Sequence, residues 1–509
     1  MDLDWHVLFE GKKVEEMWTL LKNEVSRTIE RNVPITQVVK SRRQKWVTKE
    51  IVSMLRKKKN SWKTYKRDMT HQSRVEYEKA AKAAKYAIRR SKAKVEKELA
   101  MSKDDNGRKF RSYVKAKTKC RPGVGPLLNQ VGEPVTDPKD MATILNNYFG
   151  SVFTRENIDN VPQKEMETDV RLNKIDIWEK DILEKISDLK TDSAPGPDGI
   201  CPLFLKETDK IIAKSLKIIF ESTLKEKKCP SEWKEANVVA IYKKGPKGNP
   251  ENYRPVSLTS IVCKIFESIV KDALSSHLER NKLISDSQHG FMKGRSCTTN
   301  LVEFFDKVTE AVDRGEAVDI FYLDFAKAFD KVPRERLLEK LRAKGVDGEV
   351  LAWLRDWLTD RKQRVVCEGN FSESIQVESG VPQGTVLGPP LFSVFIDDID
   401  EVAKRIELSL KFADDTKGMK IIRGEEDRKI LQETLDGLVE WAEKWGIKFN
   451  LAKCKIMHVG RNNPGYVYTM GGVALEEVEE EQDVGVTVHK SLKNQLYSAK
   501  GQLILQVRC

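Results

Sequence analysis

Three aspartates carry the chemistry that this sequence is equipped to do. Asp324 closes the apolar run Val318-Asp319-Ile320-Phe321-Tyr322-Leu323, and Asp414 and Asp415 stand side by side between Leu408–Phe412 and Met419–Ile422. Apolar residues alternate before Asp414 and resume at Met419, so that stretch reads as strand, tight turn and strand, with both carboxylates on the bend. Neighbouring carboxylates repel each other, and setting them behind an apolar strand is costly unless cations neutralise them; oxygen-rich carboxylate sites suit Mg²⁺. If the strand ending at Asp324 neighbours the hairpin, the three groups can hold two Mg²⁺ ions about 3.5–4 Å apart. One ion lowers the pKa of an attacking hydroxyl and the other stabilises a leaving oxygen in an in-line phosphoryl displacement. Standing alone, an Asp-Asp pair fits an ordinary solvated turn. Phosphatases and nucleases use the same two-metal device, so the carboxylates leave the reaction open.

Two further stretches bear on that choice. The short apolar strand Asn237–Tyr242 runs into a basic turn with Lys243 and Lys244, and Asn252–Leu258 brings Arg254 back near it. A lysine as a point charge and an arginine through its fork suit a triphosphate clamp, for which a nuclease has no use. Ser379–Gly384 is a constrained turn with Gln383 at its tip. It feeds a largely apolar helix from Pro389 to about Ile399, where prolines at the start cost little because the first amide hydrogens have no partner anyway.

The elements that position these residues are legible in outline. Asp192–Gly199 packs two prolines and two glycines into a rigid loop, and Ser287–Ser296 is a glycine-spaced basic loop ahead of a helix from about Thr298 to Arg314. A helix over Trp353–Leu358 precedes a hairpin of Gln363–Glu368 with Ser374–Glu378. Leu431, Leu435, Leu438 and Trp441 share one face of an amphipathic helix over Ile430–Trp445. A strand is expected from Gly446 through Val459, then two more over Tyr466–Met470 and Asp483–Val488, and helical periodicity returns in the last twenty residues.

Upstream, Trp18, Leu21, Val25 and Ile29 recur at helical spacing. Between Lys40 and Arg121 lie 29 lysines and arginines against 8 acidic residues, while the whole chain of 509 residues carries a net charge of only +12. Two helical stripes run through this arm, Ile51, Leu55, Trp62 and Tyr65, then Tyr77, Ala81, Ala84, Ile88, Val95 and Leu99. Either the hairpin is a solvated bridge, or Lys57, Lys58, Lys59, Arg89, Arg90 and Lys92 meet a polyanion; the scarcity of acids favours nucleic acid. Cys120–Pro126 breaks helix and reads as a linker, and a further helix spans Met141–Phe153. The 8 cysteines are scattered without a Cys-x-x-Cys pair, which argues against zinc and a disulfide framework. No run of eighteen apolar residues and no leader pattern is visible, so the chain is expected to be soluble and intracellular, with no membrane partner.

The islands together resemble a known family. Tyr322–Asp330, Gly380–Phe392 and Phe412–Asp415 resemble the A, B and C motifs of reverse transcriptases, most closely those of non-LTR (LINE-type) retrotransposons of the jockey and chicken-repeat groups. Ser193–Ile200, Tyr253–Leu258, Gln288–Phe291 and Arg295-Ser296 are similar to the family's finger blocks, and Trp445-Gly446 with Asn450 and Lys453-Cys454 to motif D. The resemblance implies an α+β right-hand polymerase: an antiparallel palm sheet backed by helices, with fingers, preceded by a basic helical arm. The implied division is a basic helical extension over 1–126, a connecting helical segment over 127–189, fingers and palm over 190–488 and the start of a thumb over 489–509. By the same resemblance, this stretch is expected to lack the family's endonuclease and most of its thumb.

By resemblance, Asp324, Asp414 and Asp415 are metal ligands for two Mg²⁺ ions, with Mn²⁺ as an alternative, and the Phe325 carbonyl is a further ligand. Phe329 lies under the sugar, where its bulk excludes a 2′-hydroxyl. Gln383 and Gly384 contact the incoming nucleotide, Lys243, Lys244 and Arg254 hold its triphosphate, and Lys453 donates a proton to pyrophosphate. The implied partners are an RNA template, a DNA primer and deoxynucleoside triphosphates. Pro390 departs from the family pattern and is expected to disturb the start of its helix; Val484 replaces the usual leucine of the primer-grip block. The alternatives left open are a catalytically inactive nucleic-acid-binding remnant and a group II intron-type maturase.

Overall fold

The computed structural model describes residues 3–33, 46–101, 123–129 and 131–492. The start of the expected linker at Cys120 and the periodic stretch beyond Asn494 lie outside the described residues. The chain divides into two compact units, Met1–Ile29 with Gly123–Leu503 and Glu30–Pro122 with Ile504–Cys509.

Helix α1 (Val14–Asn32) buries Trp18, Leu21 and Val25. Trp18 Nε1 donates to Glu232 at 2.9 Å while its ring meets Trp233 edge-on. Residues up to Ile29 therefore belong to the core of the larger unit rather than to the basic arm. Burying two tryptophan faces fixes them there, and the cationic composition begins only at Lys40.

The smaller unit holds α2 (Lys49–Asp68) and α3 (His71–Met101), a helical hairpin turning at Met69 in the left-handed region with φ 50°. Thr48 caps α2 by accepting from the Ile51 amide at 3.3 Å. The apolar stripes are as narrow as the sequence indicates: Ile51 and Ala84 are buried and the Trp62 ring packs 4.9 Å from Tyr77, but Leu55, expected on the stripe, stays exposed. Lys57, Lys59, Arg89 and Arg90 all face solvent.

The larger unit is α+β. In chain order it contains α4 (Pro138–Ser151), α5 (Asp209–Glu226), β1 (Glu235–Tyr242), β2 (Tyr253–Leu258), α6 (Ile261–Arg280), α7 (Cys297–Asp313), β3 (Ala317–Leu323), α8 (Arg334–Ala343) and α9 (Gly348–Leu358). There follow β4 (Lys362–Cys367), α10 (Gly388–Ile396), β5 (Leu408–Phe412), β6 (Asp415–Ile422), α11 (Glu425–Trp445), β7 (Lys455–Val459), β8 (Glu476–Glu477), β9 (Glu480–Asp483) and β10 (Val486–His489).

The central sheet has the order β8-β7-β3-β6-β5. Its ladders are antiparallel except the β7–β8 pair, which is parallel. Strand β3 is buried along its whole length because both faces are covered. Phe321 and Leu323 point into the main core with α8, α9, α10 and α11, while Val318, Ile320 and Tyr322 point into a second core under Phe304 and Val308 of α7. A sheet sandwiched in this way holds its strand ends rigidly. A second sheet places β2 antiparallel to β1 and β1 parallel to β4, with Met141, Leu145 and Phe149 of α4 packed on it.

Three differences from the sequence expectation have local causes. The Asp483–Val488 stretch is a hairpin of β9 with β10, because Val484 and Gly485 both take positive φ and reverse the chain. The segment after Gly446 makes a short 3-10 turn at Leu451–Lys453 before β7 begins. Pro390 does not disturb α10: it stands within the first turn, and the Leu391 amide still reaches the Leu387 carbonyl at 3.1 Å.

Candidate active site

Strand register brings the aspartates together. Leu323 at the end of β3 pairs with Thr416 of β6, so one residue further the chain presents Asp324 across from Asp415. The β5–β6 turn holds Asp414, with Ala413 in the left-handed region at φ 57°. Beyond β3, the exit of the strand is clamped to the segment after α11. The Ala326 amide donates to the Lys448 carbonyl at 2.9 Å, the Asn450 amide donates to the Asp324 carbonyl at 2.7 Å, and the Phe325 and Phe449 rings stack 4.5 Å apart. Asp324 thus stands on a pinned backbone.

Asp324 and Asp415 line one cleft of about 380 Å³ with Lys243, Lys244 and Lys453. Lys453 Nζ lies 3.2 Å from each carboxylate oxygen of Asp324. Although Asp415 keeps an exposed surface, partial desolvation at the cleft pushes its carboxyl up to about 6, and Asp414, Asp324 and Asp483 add to the shift while Lys243 opposes it. Asp414 is half-buried; burial raises its carboxyl too, against the pull of Arg254 and Lys243. Desolvation and neighbouring carboxylates together raise both carboxyls despite these cations, and a hard divalent cation bound between them would offset that cost. Among the described residues, no three carboxylate, imidazole or thiolate side chains are gathered into a ready cage.

Not every expected site residue faces this cleft. Lys243, Lys244 and Arg254 are exposed, and none makes a salt bridge with a carboxylate among the described residues. Arg254 acts on Asp414 through its charge. Gln383 lines a neighbouring cavity with Lys327 and Asp330, and Gly384 follows it with φ 101°. A Cβ at Gly384 would stand 2.7 Å from the Ser257 carbonyl, so the turn and β2 touch backbone to backbone. The Phe329 ring stacks on Phe392 of α10 at 4.5 Å, and the Phe325 ring is wholly in the core.

Several supports were not evident from residue type. Gln288 Oε1 accepts from the Gly290 amide at 2.7 Å and the Ala413 amide at 3.2 Å, fastening the 287–290 loop to the Asp414 turn. The signal was the glycine spacing of that island, which marks a close approach without naming the partner. Buried Lys417 of β6 is ion-paired with Asp483 of β9, and its ammonium lies 4.3 Å from the Phe304 ring centroid. Asp483 is therefore an ion-paired carboxylate at the cleft wall, its charge still felt at Asp415. Buried Asp319 in β3 accepts from the Tyr468 hydroxyl at 2.6 Å and from Asn463 at 2.7 Å, a network that alternation alone does not reveal.

Comparison with known proteins adds a family. Residues 241–489 match the family model described as reverse transcriptase (RNA-dependent DNA polymerase). A probable RNA-directed DNA polymerase from transposon BS of Drosophila melanogaster is 27% identical over 392 residues, covering 72% of this chain and 42% of that protein. The RNA-directed DNA polymerase from mobile element jockey of Drosophila funebris is 29% identical over 327 residues, covering 62% and 35%. The chain thus spans less than half the length of these relatives. Among solved structures, apo telomerase from Candida tropicalis truncated from its C-terminal domain aligns with a TM-score of 0.37 and 11% identity, covering 51% of this chain and 54% of that one.

Proposed function

We propose that this chain, whose residues 241–489 belong to the reverse transcriptase family, is an RNA-directed DNA polymerase of a non-LTR retrotransposon that adds deoxynucleotides to a DNA 3′-hydroxyl on an RNA template. The observation that carries this reading is the Leu323–Thr416 register, which lets Asp324 and Asp415 share a cleft with Lys243, Lys244 and Lys453. In this reading the central sheet is the palm, the β2-β1-β4 sheet belongs to the fingers, and the basic hairpin of α2 and α3 binds nucleic acid through its exposed lysines and arginines.

Asp324, Asp414 and Asp415 would hold two Mg²⁺ ions, with Mn²⁺ as an alternative and the Phe325 carbonyl as an extra donor. When bound, the ions supply the charge that acidifies a 3′-hydroxyl and stabilises the departing pyrophosphate. The side chains do the rest. Lys243, Lys244 and Arg254, free of carboxylate partners among the described residues, take the triphosphate. Gln383 and Gly384 contact the nucleotide, Phe329 excludes a 2′-hydroxyl by bulk while Phe392 holds its ring, and Lys453 gives a proton to the leaving group.

Primer extension on poly(rA)/oligo(dT) with Mg²⁺ tests the reading. Incorporation of dTTP that Asp414→Ala with Asp415→Ala abolishes is the expected result. No incorporation, with RNA binding intact in both forms, would make the chain a binding remnant instead.

A further inference from the structure

We infer that Asp330 is a positioning residue for nucleotide binding: its carboxylate holds the amide nitrogen of Gln383, leaving the amide oxygen as the acceptor offered to a deoxynucleoside triphosphate. This rests on the proposal that Gln383 meets the nucleotide. Gln383 Nε2 donates to Asp330 Oδ1 at 3.2 Å. An ionised carboxylate only accepts, so it selects one of the two amide orientations that a glutamine otherwise samples.

The frame around the pair is rigid. The Gly380 amide donates to the Val332 carbonyl at 2.8 Å, the Val381 amide to the Phe329 carbonyl at 2.9 Å, and the Ser379 hydroxyl to the Asp330 carbonyl at 2.7 Å. Gly380 takes φ 88°, and a Cβ there would stand 2.6 Å from the Phe329 carbonyl oxygen, so the two loops touch with no room between them. On the other side the Ser257 amide donates to the Gln383 carbonyl at 2.8 Å, tying the turn to the strand that carries Arg254. One unit therefore joins the loop after β3, the Ser379–Gly384 turn and β2, and the Asp330–Gln383 bond is its side-chain link.

The charged and titratable groups facing Asp330 are Lys327 and Lys331 on its own loop, Arg254 on β2 and Tyr148 on α4, with Arg361 and Lys362 lining the same cavity. Burial pushes the Asp330 carboxyl up to about 6, against Lys327, the Gln383 bond, Arg254 and Lys331. A protonated carboxyl could donate to Gln383 and release the amide to turn over.

The test measures the dTTP concentration that protects the full chain on poly(rA), with a dideoxy-terminated oligo(dT) primer, against a competitor trap. Asp330→Ala and Gln383→Ala should each raise it on the order of tenfold, the scale of one charge-assisted hydrogen bond. The double variant should match Gln383→Ala alone. The wild-type requirement should rise more steeply as pH falls through 6 than that of Asp330→Asn, which keeps an acceptor but cannot titrate; Asp415, raised to about 6, and the nucleotide's terminal phosphate titrate alike in both. An Asp330→Ala effect that persists in full on top of Gln383→Ala would overturn the inference, as would Asp330→Ala equal to wild type beside a defective Gln383→Ala. A wild-type-like Gln383→Ala would instead overturn the role given to Gln383. Should Asp330→Ala fail to fold, the difference between the wild-type and Asp330→Asn pH profiles decides: an Asp330→Asn profile as steep as wild type below pH 6 rejects the inference.

Discussion

Gly290→Ala should cripple catalysis through a residue that touches no substrate. A Cβ at position 290 would stand 2.3 Å from the Ala413 amide nitrogen and 3.0 Å from the Phe412 carbonyl carbon. Both are backbone atoms, so no side chain can swing away. Restoring an ordinary contact of about 3.4 Å requires the Ala413–Asp414 turn to retreat by about an ångström, and Gln288 then loses its grip on the Ala413 amide. Overpacking of this kind costs about 1–3 kcal/mol, which lowers the melting temperature by a few degrees in a unit of this size. Displacing catalytic groups by an ångström costs on the order of 10²-fold in rate. Single-turnover dTTP incorporation and a thermal melt on the same samples separate the two effects. A Gly290→Ala chain that melts near wild type and extends primer at the wild-type rate would refute the claim that the 287–290 loop sets the Asp414 turn.

Four further outcomes are expected. Phe329→Val should admit ribonucleotides, raising the rate with UTP relative to dTTP by about tenfold or more in steady-state extension, because the smaller side chain leaves room for a 2′-hydroxyl. Asp356 is buried, and although burial would raise its carboxyl, Lys234, Lys228 and the Cys229 amide hold it below its ordinary value. Its stabilisation is therefore present above the unfolded pKa of about 3.9 and lost as pH falls through the lower folded value; Asp356→Asn should cost about 3–5 kcal/mol at pH 7, with the gap to wild type closing below pH 4 in denaturant titrations. The Asp415 carboxyl, raised to about 6, works in the opposite sense. Without metal its contribution is complete below the unfolded pKa and fades as pH rises through 6, so Mg²⁺ should raise the melting temperature more at pH 7.5 than at pH 5.5. Replacing Lys57, Lys58 and Lys59 with alanine should weaken RNA binding and reduce the slope of log affinity against log salt by about 2–3.

The sequence made the site legible where chemistry and local pattern coincide. An apolar run ending on Asp324 and a two-carboxylate bend at Asp414-Asp415 are visible as types and spacings, and the register that joins β3 to β6 sets Asp324 and Asp415 on one cleft. Gln383 was visible as the tip of a constrained turn, but its partner Asp330 was not, since nothing in the order of residues says that two loops about fifty positions apart share a hydrogen bond. Long-range pairing of this kind also hid Gln288 behind the Asp414 turn and Lys417 behind Asp483. The N-terminal stretch misled for another reason. Charge counted over residues 1–126 is dominated by the segment from Lys40 onward, whereas Trp18 and its neighbours are placed by apolar burial that a composition average cannot see. Val484-Gly485 lies inside the strand expected over Asp483–Val488, and two consecutive positive φ values make it the turn between β9 and β10.

The central claim is that carboxylates from two strands act as one centre, and the most direct measurement is a double-substitution cycle on RNA-templated primer extension under single-turnover conditions. Asp324→Asn and Asp415→Asn should each reduce incorporation by at least about 10³-fold, and the pair should be no worse than either alone, as groups that act as a unit behave. A chain that keeps a tenth of its rate after losing Asp324, or in which the two losses simply multiply, would contradict the account.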